Sequence, residues 1–269
     1  VYTIWDRMWY RETDVNREEL CIGSQRWGML VKDVAAAAPP SQRLIHVMDR
    51  EADDYALWTE ILETGGDFVI RVQHDRRLAG AVERLSASIA VAKVVGRRKI
   101  WVHARTSGSR PPATRKTHPN REPRVAKLEI RVEEVTFKRP KGAEPQGEPT
   151  MTLRVVDVVE PDPPEGQAPV HWRIVTTLPV ATADEAWRVV DCYRKRWLIE
   201  EFFKSLKTGC ALESRQAESL DSLMNVLALL VPAAWRLLSL RALARETPEA
   251  PAEEILDELE LAALRQQVP

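Results

Sequence analysis

The clearest indication of the fold class is in residues 43–72, RLIHVMDREADDYALWTEILETGGDFVIRV. Residues 43–49 form a short apolar run that ends at Asp49, which is typical of a buried parallel strand with a carboxylate at its carboxyl end. Residues 52–63 predict a helix, and residues 68–72, after a pair of glycines, predict a second strand. A helix between two such strands is a βαβ unit, so we expect an α/β fold.

Outside this unit the pattern changes. Residues 1–9 are rich in aromatic and β-branched residues and predict a strand, and residues 23–38 predict a helix that ends before two prolines. Three later segments alternate apolar and polar residues, as antiparallel half-buried strands do: 99–104, 127–137 and 151–159. Long proline-rich loops separate them. We therefore expect a β-rich insertion with exposed loops, outside the α/β sheet.

The last third of the chain predicts mostly helix. We expect a strand over 171–178, a long continuous helix from Thr182 to Thr208, and another helix over 219–245 that bends at Pro232. The chain is then divided into a partial core, a basic β-rich insertion, a return of the core with the long helix, and a C-terminal helical region. These four parts are residues 1–74, 75–168, 169–215 and 216–269.

Composition excludes several classes of protein. Hydrophobic residues make up 44% and charged residues 29%, as in a globular protein that buries a core. The longest uncharged apolar stretch, residues 223–235, is shorter than the roughly 20 residues of a membrane span, so we expect no membrane partner. The three cysteines have no C-x-x-C spacing, which argues against a disulfide framework or a zinc site and favours the cytoplasm.

Charge is balanced over the chain but unevenly distributed. There are 39 basic and 40 acidic residues in total. Residues 71–127 contain a large excess of Lys and Arg, whereas residues 246–260 contain acidic residues and no basic one. This asymmetry favours a middle region that faces a polyanion; the alternative is an ordinary solvated basic surface.

The most informative chemical pattern is YRKRWLIEEFFKSLKTG, residues 193–209. In a continuous helix with about 100° per residue, one face carries a phenol, a carboxylate and three cations. These residues are Tyr193, Arg196, Glu200, Lys204 and Lys207. Glu201 points about 100° away from that face, so helix geometry favours Glu200 as the functional acid. A carboxylate among cations suits an acid that holds a metal ion beside phosphates; the alternative is a solvent-exposed face with i±4 ion pairs.

Asp49 is the second candidate acid. A carboxylate at the carboxyl end of a strand lies where α/β sheets build their sites. The segment DREAD, residues 49–53, offers further carboxylates. We interpret Glu51 as a capping residue and Asp53 as an acid at a helix N-terminus. For Asp49 taken alone, a structural role is the alternative.

Together the two patterns resemble a known family of enzymes. The signature Y-x2-R-x3-E-x6-K is matched by Tyr193, Arg196, Glu200 and Lys207. A DREAD segment precedes the signature, with a β-rich insertion between them. This arrangement resembles the DDE transposases of the fourth insertion-sequence family, and the similarity extends to WRIVTTLP at 172–179 and LESRQAESLDSL at 212–223. The resemblance covers nearly all of the chain up to about Arg245.

The resemblance implies a ribonuclease-H-like α/β fold that holds two divalent metal ions, normally Mg²⁺ or in its place Mn²⁺, between three carboxylates. It assigns Asp49 and Glu200 as the second and third of these catalytic, metal-binding carboxylates. It places a further set of side chains against DNA: Tyr193, Arg196, Lys204, Lys207, Arg71 and Trp172. For Trp172, packing in the core is our preferred interpretation and stacking on an unpaired base is the alternative.

The resemblance also implies cut-and-paste DNA transposition, with phosphodiester hydrolysis and strand transfer at transposon ends. The expected partners are double-stranded end and target DNA, bound by a homodimer in a synaptic complex at the bacterial nucleoid. The basic insertion would contact the DNA backbone. Two alternatives are a non-catalytic DNA-binding or dimerising remnant of a decayed transposase, and a related metal-dependent nuclease without strand transfer.

One feature departs from the family pattern, because the family needs a first catalytic Asp on the first strand of its fold. Asp6 follows VYTIW and mimics a strand-end acid, but too few residues separate it from Asp49 for the two further strands that the fold requires. We therefore expect the first Asp to lie upstream of Val1. The chain would then be a fragment that is inactive by itself.

Overall fold

The computed structural model describes residues 24–104, 121–141, 147–215 and 219–267. The strand predicted at 1–9, together with Asp6, lies outside these residues. The chain divides into two units, Val1–Arg196 and Trp197–Pro269, and each is described by itself.

The described strands form a six-stranded sheet in the order β1-β2-β6-β5-β4-β3. They are β1 Ile45–Met48, β2 Asp67–Arg71, β3 Val94–Val102, β4 Arg124–Lys138, β5 Thr150–Val159 and β6 His171–Thr176. β1 and β2 run parallel, and every other neighbouring pair is antiparallel. The predicted βαβ unit and the predicted α/β fold class are confirmed, and the mixed sheet is consistent with a ribonuclease-H-like core.

Helices of the first unit pack on this sheet. They are α1 Ser24–Ala37, α2 Tyr55–Glu63, α3 Leu85–Val91 and α4 Ala183–Arg194, with a short 3-10 turn at Arg50–Ala52. α2 begins three residues later than predicted, because the Asp54 carboxylate accepts the Ala56 N–H at 2.8 Å and caps the helix there. α2 ends before Gly65, whose φ of 74° needs the left-handed conformation that glycine adopts without strain.

Two hydrophobic cores lie on the two faces of the sheet. On one face, α1, α2 and α3 surround Trp58, whose ring centroid lies 6.0 Å from that of Phe68 and 5.4 Å from that of Phe137. On the other face, α4 packs on the strands through Trp187 and Tyr193. We call these the α2 face and the α4 face.

The long strand β4 contributes to both cores in different halves. Near its end, Val135 and Phe137 belong to the core of the α2 face. Near its start, Leu128 and Ile130 belong to the core of the α4 face. Because side chains alternate along a strand, Lys127 points to the α2 face, and there it is exposed. One half of the α2 face is therefore uncovered around the start of β4.

The predicted antiparallel strands within 75–168 are confirmed, but their predicted placement outside the α/β sheet is wrong. β5 pairs with β6, and β6 pairs with β2, so β3, β4 and β5 extend the sheet that begins with the βαβ unit. Alternating polarity indicates a half-buried strand but does not identify the strand beside it. The four domain boundaries stay predictions.

The predicted continuous helix from Thr182 to Thr208 is also wrong. α4 ends at Arg194, and a tight turn follows in which the Arg196 N–H donates to the Tyr193 carbonyl at 3.0 Å. Neither glycine nor proline occurs at this turn, so the usual sequence signals of a helix end are lacking. The signature residues consequently do not follow one regular helix, and they belong to both units.

The described part of the second unit is helical. It contains α5 Trp197–Lys204, a π turn at Ser205–Gly209, a 3-10 turn at Leu212–Ser214, and the helices α6 Leu220–Glu246, α7 Ala252–Ile255 and α8 Glu258–Gln267. α6 contains Pro232, as predicted. Among the described residues, α6 alone is long and apolar enough to cross a membrane. Length and composition are weak evidence for a span, and the expectation of no membrane partner stays a prediction.

Candidate active site

Asp49 lies where β1 ends, at the carboxyl edge of the parallel pair of strands, as predicted. One of its carboxylate oxygens, Oδ1, accepts the Glu51 N–H at 3.0 Å and caps the 3-10 turn. The side chain is 44% exposed. Asp49 therefore keeps a carboxylate accessible to a ligand while its backbone is fixed between a strand and a turn.

Two arginines from other elements lie near this edge. The Arg196 Nη1 atom, just after α4, lies 3.9 Å from Oδ2 of Asp49. Arg71 ends β2, the parallel neighbour of β1, and its Nη2 donates to the His171 carbonyl at 2.8 Å. An acid and two cations from three separate segments thus lie at one edge of the sheet. Such a cationic edge attracts the phosphates of a nucleic acid.

Tyr193 links Arg71 to the α4 face. The Arg71 guanidinium donates a hydrogen bond to the Tyr193 hydroxyl. Burial lowers the pKa of Arg71, the Tyr193 hydroxyl opposes that shift, and the cations of Arg50 and Arg196 add to it. The Tyr193 ring is buried and lies 6.5 Å from the ring of Trp172. Trp172 is partly buried against the same core, in accordance with the packing interpretation.

Five of the predicted site residues are therefore assembled within the first unit. They are Asp49, Arg71, Trp172, Tyr193 and Arg196. A model of the transposase DDE domain family matches residues 26–235, which is well over half of the chain. The chain belongs to the transposase DDE domain family. This assigns it a transposase function in general, with action on DNA.

Asp53 of the transposase has a different role from the one predicted. It is not the acid that caps α2, since Asp54 does that. Its carboxylate accepts the N–H groups of Gln73 and His74 at 2.6 and 2.8 Å, and Arg76 Nε at 2.6 Å. The side chain of Asp53 is fully buried, and so is most of Arg76.

This buried pair ties together the segments that follow β1 and β2. Arg76 also lies 4.4 Å from the centroid of the Trp58 ring, whose Nε1 donates to the Ala52 carbonyl at 3.0 Å. The capping role predicted for Glu51 is wrong, because Asp49 caps the 3-10 turn that contains Glu51 and Asp54 caps α2. Arg76 was not predicted, since nothing in its sequence neighbourhood distinguishes it from the other basic residues of 71–127.

The remaining signature residues lie in the second unit. Glu200 and Lys204 are four residues apart on α5, so they share a helix face, and both are exposed. Glu201 is less exposed, and its carboxylate lies 3.8 Å from the Arg245 guanidinium. Lys207 is exposed in the π turn, an irregularity that is frequent at functional sites. Within α5, Glu200 and Glu201 therefore differ in exposure as well as in the helix face on which they lie.

The chemistry of the assigned acids fits a divalent metal ion. Carboxylate oxygens are the ligands that Mg²⁺ and Mn²⁺ prefer, and the side chains of Asp49 and Glu200 are both accessible. In the part of the chain that the structure describes, no three His, Cys, Asp or Glu side chains form a group suited to a metal.

Proposed function

We propose that this transposase domain hydrolyses and transfers DNA strands at transposon ends by two-metal chemistry, with Asp49 and Glu200 as two of the metal-binding carboxylates. Two Mg²⁺ ions, or Mn²⁺ in their place, supply activation of a water or 3′-hydroxyl and charge stabilisation at the leaving oxygen. In this proposal the first of the three carboxylates, which the family places on the first strand of its fold, comes from outside the described residues. The observation that carries this proposal is the position of Arg196, from the helix signature, against Asp49, from the DREAD segment.

The protein's own side chains hold the phosphodiester in this proposal. Asp49 is kept at the end of β1 by the hydrogen bond from the Glu51 N–H to Oδ1, so Oδ2 is the oxygen that lies near Arg196. Arg196 and Arg71 bind phosphate oxygens beside it, and Tyr193 fixes the orientation of the Arg71 guanidinium. Lys204 and Lys207 bind backbone phosphates of the same DNA end. Cut-and-paste transposition by a homodimer with end and target DNA follows from the family resemblance.

The test of the catalytic assignment is a strand-cleavage assay with Mg²⁺ and transposon-end DNA on the full-length protein. Glu200→Gln should abolish cleavage and leave DNA binding largely intact, because the neutral amide fails as a metal ligand while keeping its shape. Glu201→Gln is the matched control and should cleave at nearly the wild-type rate. Equal loss in both variants, or loss only in Glu201→Gln, contradicts the assignment.

The phosphate-binding residues should respond differently in a binding assay. Arg196→Ala and Lys207→Ala should each weaken binding of the DNA end and flatten the plot of log K against log salt by about 1, since each removes one phosphate contact. A remnant that only binds DNA would show the same binding losses with no cleavage in the full-length wild-type protein. Cleavage without strand transfer would favour the related nuclease.

A further inference from the structure

Where the end of β3 pairs with the start of β4, no described helix covers the α2 face of the sheet. Gly96, Arg98 and Ile100 of β3 face α4, since Arg98 lies 4.6 Å from the Trp187 ring and Gly96 lies close to the same helix. The alternating residues of β3 therefore point to the α2 face, where no described helix covers them. We call the exposed side chains of Arg97, Lys99, Trp101, Val125 and Lys127 the open hairpin face.

Two lysines lie directly opposite each other on this face. Lys99 of β3 is the register partner of Lys127 of β4, and both side chains are exposed. Within the described residues, neither lysine has an ion pair or hydrogen bond to a carboxylate. Like charges directly opposite each other destabilise a strand pair. A bound anion would offset this repulsion, because it attracts both ammonium groups.

The neighbouring charges add to the positive potential. Arg97 and Arg131 both bind the carboxylate of Glu129, at 2.9 and 3.4 Å, so one acid serves two guanidinium groups. The Arg97 side chain is 74% exposed. A groove of about 350 Å³ beside these residues is lined by Arg97, Lys99 and Lys127 among others, with Glu129 and Asp162 as acids. Cations thus outnumber acids on this face.

Trp101 and Val125 continue the same face beyond the lysines. They are register partners, and they are 54% and 55% exposed. Residues two positions apart in a strand are about 6.8 Å apart, so Arg97, Lys99 and Trp101 form a row. A DNA strand carries one phosphate about every 3.4 Å of helix axis, so the cations of this row reach phosphates of one backbone. Trp101 and Val125 provide apolar contact to the deoxyribose beside those phosphates.

We propose that the open hairpin face is a second binding surface for the backbone of double-stranded DNA, on the opposite side of the sheet from the Arg71–Tyr193 cluster. The proposal rests on the transposase acting on DNA, and it adds a duplex that does not contact the candidate active site. The contacts are to phosphates and sugars, so binding is independent of sequence and strongly dependent on salt. The carboxylate chemistry of Asp49 and Glu200 has no part in it.

The experiment measures binding of this chain to a random-sequence duplex by fluorescence anisotropy over a range of salt concentrations. Lys99→Glu/Lys127→Glu should weaken binding at least about tenfold at low salt and flatten the slope of log K against log salt by about 2. The matched control is Lys138→Glu/Lys141→Glu, which changes net charge equally at exposed positions. Lys138 is eleven residues from Lys127 on β4, which is about 37 Å along the strand. The control should bind within about twofold of the wild type.

A neutral variant keeps the test decisive if charge reversal prevents folding. Lys99→Gln/Lys127→Gln relieves the repulsion between the lysines, so it should fold and still lose most of the salt dependence from these two contacts. Wild-type affinity in this variant, equal loss in the control pair, or tighter binding of single-stranded DNA than of duplex overturns the proposal. The random-duplex assay contains no cleavage step and leaves Asp49 and Glu200 unaltered, so failure of the catalytic assignment is observed separately in the cleavage assay.

Discussion

The two ends of the six-stranded sheet use their side chains in different ways. At the β1–β2 end, charged residues are held by several hydrogen bonds each, and Asp53 and Arg76 are buried above Trp58. At the β3–β4 end, Arg97 and Lys99 are exposed on a face that no described helix covers. The first end thus fixes the geometry of the candidate site, whereas the open hairpin face at the second end is a charged surface that we expect to affect stability little.

The largest difference between the two ends is expected in the loss of stability when a tryptophan is replaced by alanine. Trp58 is fully buried and packs on Phe68 and Phe137, so Trp58→Ala should lower the free energy of unfolding by about 3–5 kcal/mol. Trp101 is 54% exposed, so Trp101→Ala should change it by no more than about 0.5 kcal/mol. Urea denaturation of both variants measures the two values. Comparable losses would show that the open hairpin face is part of the stabilising structure.

A smaller difference in stability is expected between substitutions of Asp49 and Asp53, the two aspartates of the DREAD segment. Asp53→Asn should destabilise the protein by about 2–3 kcal/mol, because the amide cannot satisfy all the donors that the buried carboxylate now accepts. Asp49→Asn should change the free energy of unfolding by less than about 0.5 kcal/mol, since Asn caps a turn as well as Asp does. Thermal unfolding at constant pH compares them. A large loss of stability in Asp49→Asn would favour a structural role for that residue.

The sequence was sufficient for the elements with strong local signals. The apolar run 43–49 with its terminal acid and the strand predicted at 68–72 follow from hydrophobic pattern and composition. The structure has the two strands in parallel at Ile45–Met48 and Asp67–Arg71, within two residues of the predicted bounds. The alternating segments gave the antiparallel strands β4 and β5 with nearly correct bounds. Local patterns were enough here because strand type depends on which side chains are buried.

The sequence was insufficient where long-range contacts decide the structure. The pairing of β5 with β6 joins the insertion to the sheet, and alternation cannot indicate such a partner. The helix break after Arg194 lacks glycine and proline, and the burial of Asp53 depends on residues 73–76. For the candidate site, the motifs identified Asp49 and Arg196, but the mutual position of Arg71 and Tyr193 follows only from the sheet order.

The smallest of these predicted effects concerns His46 on β1. Burial lowers the pKa of His46, and its Nε2 is buried without a hydrogen-bond partner in the described residues. The unfolded chain therefore binds a proton near the ordinary pKa of about 6.5, whereas the folded protein binds it only at lower pH. Stability is fully present above pH 7 and should decrease as the pH falls through 6.5 toward the folded-state pKa.

His46→Leu removes this titration. The free energy of unfolding, measured in urea at pH 7.5 and at pH 5.5, should therefore differ less in the variant than in the wild type. An unchanged pH dependence would mean that the His46 ring is protonated as easily in the folded protein as in the unfolded chain. That result would show that the burial of His46 Nε2 does not disfavour the charged form of the ring.

The most direct test of the central claim is the position of a bound metal ion relative to Asp49 and Glu200. A crystal structure of the full-length protein with transposon-end DNA and Mn²⁺ shows the ion by its anomalous scattering. We predict an ion ligated by both carboxylates, which then lie about 4–8 Å apart, as two ions spaced about 3.5–4 Å require. Carboxylates more than about 12 Å apart, with both elements ordered, would contradict the two-metal assignment.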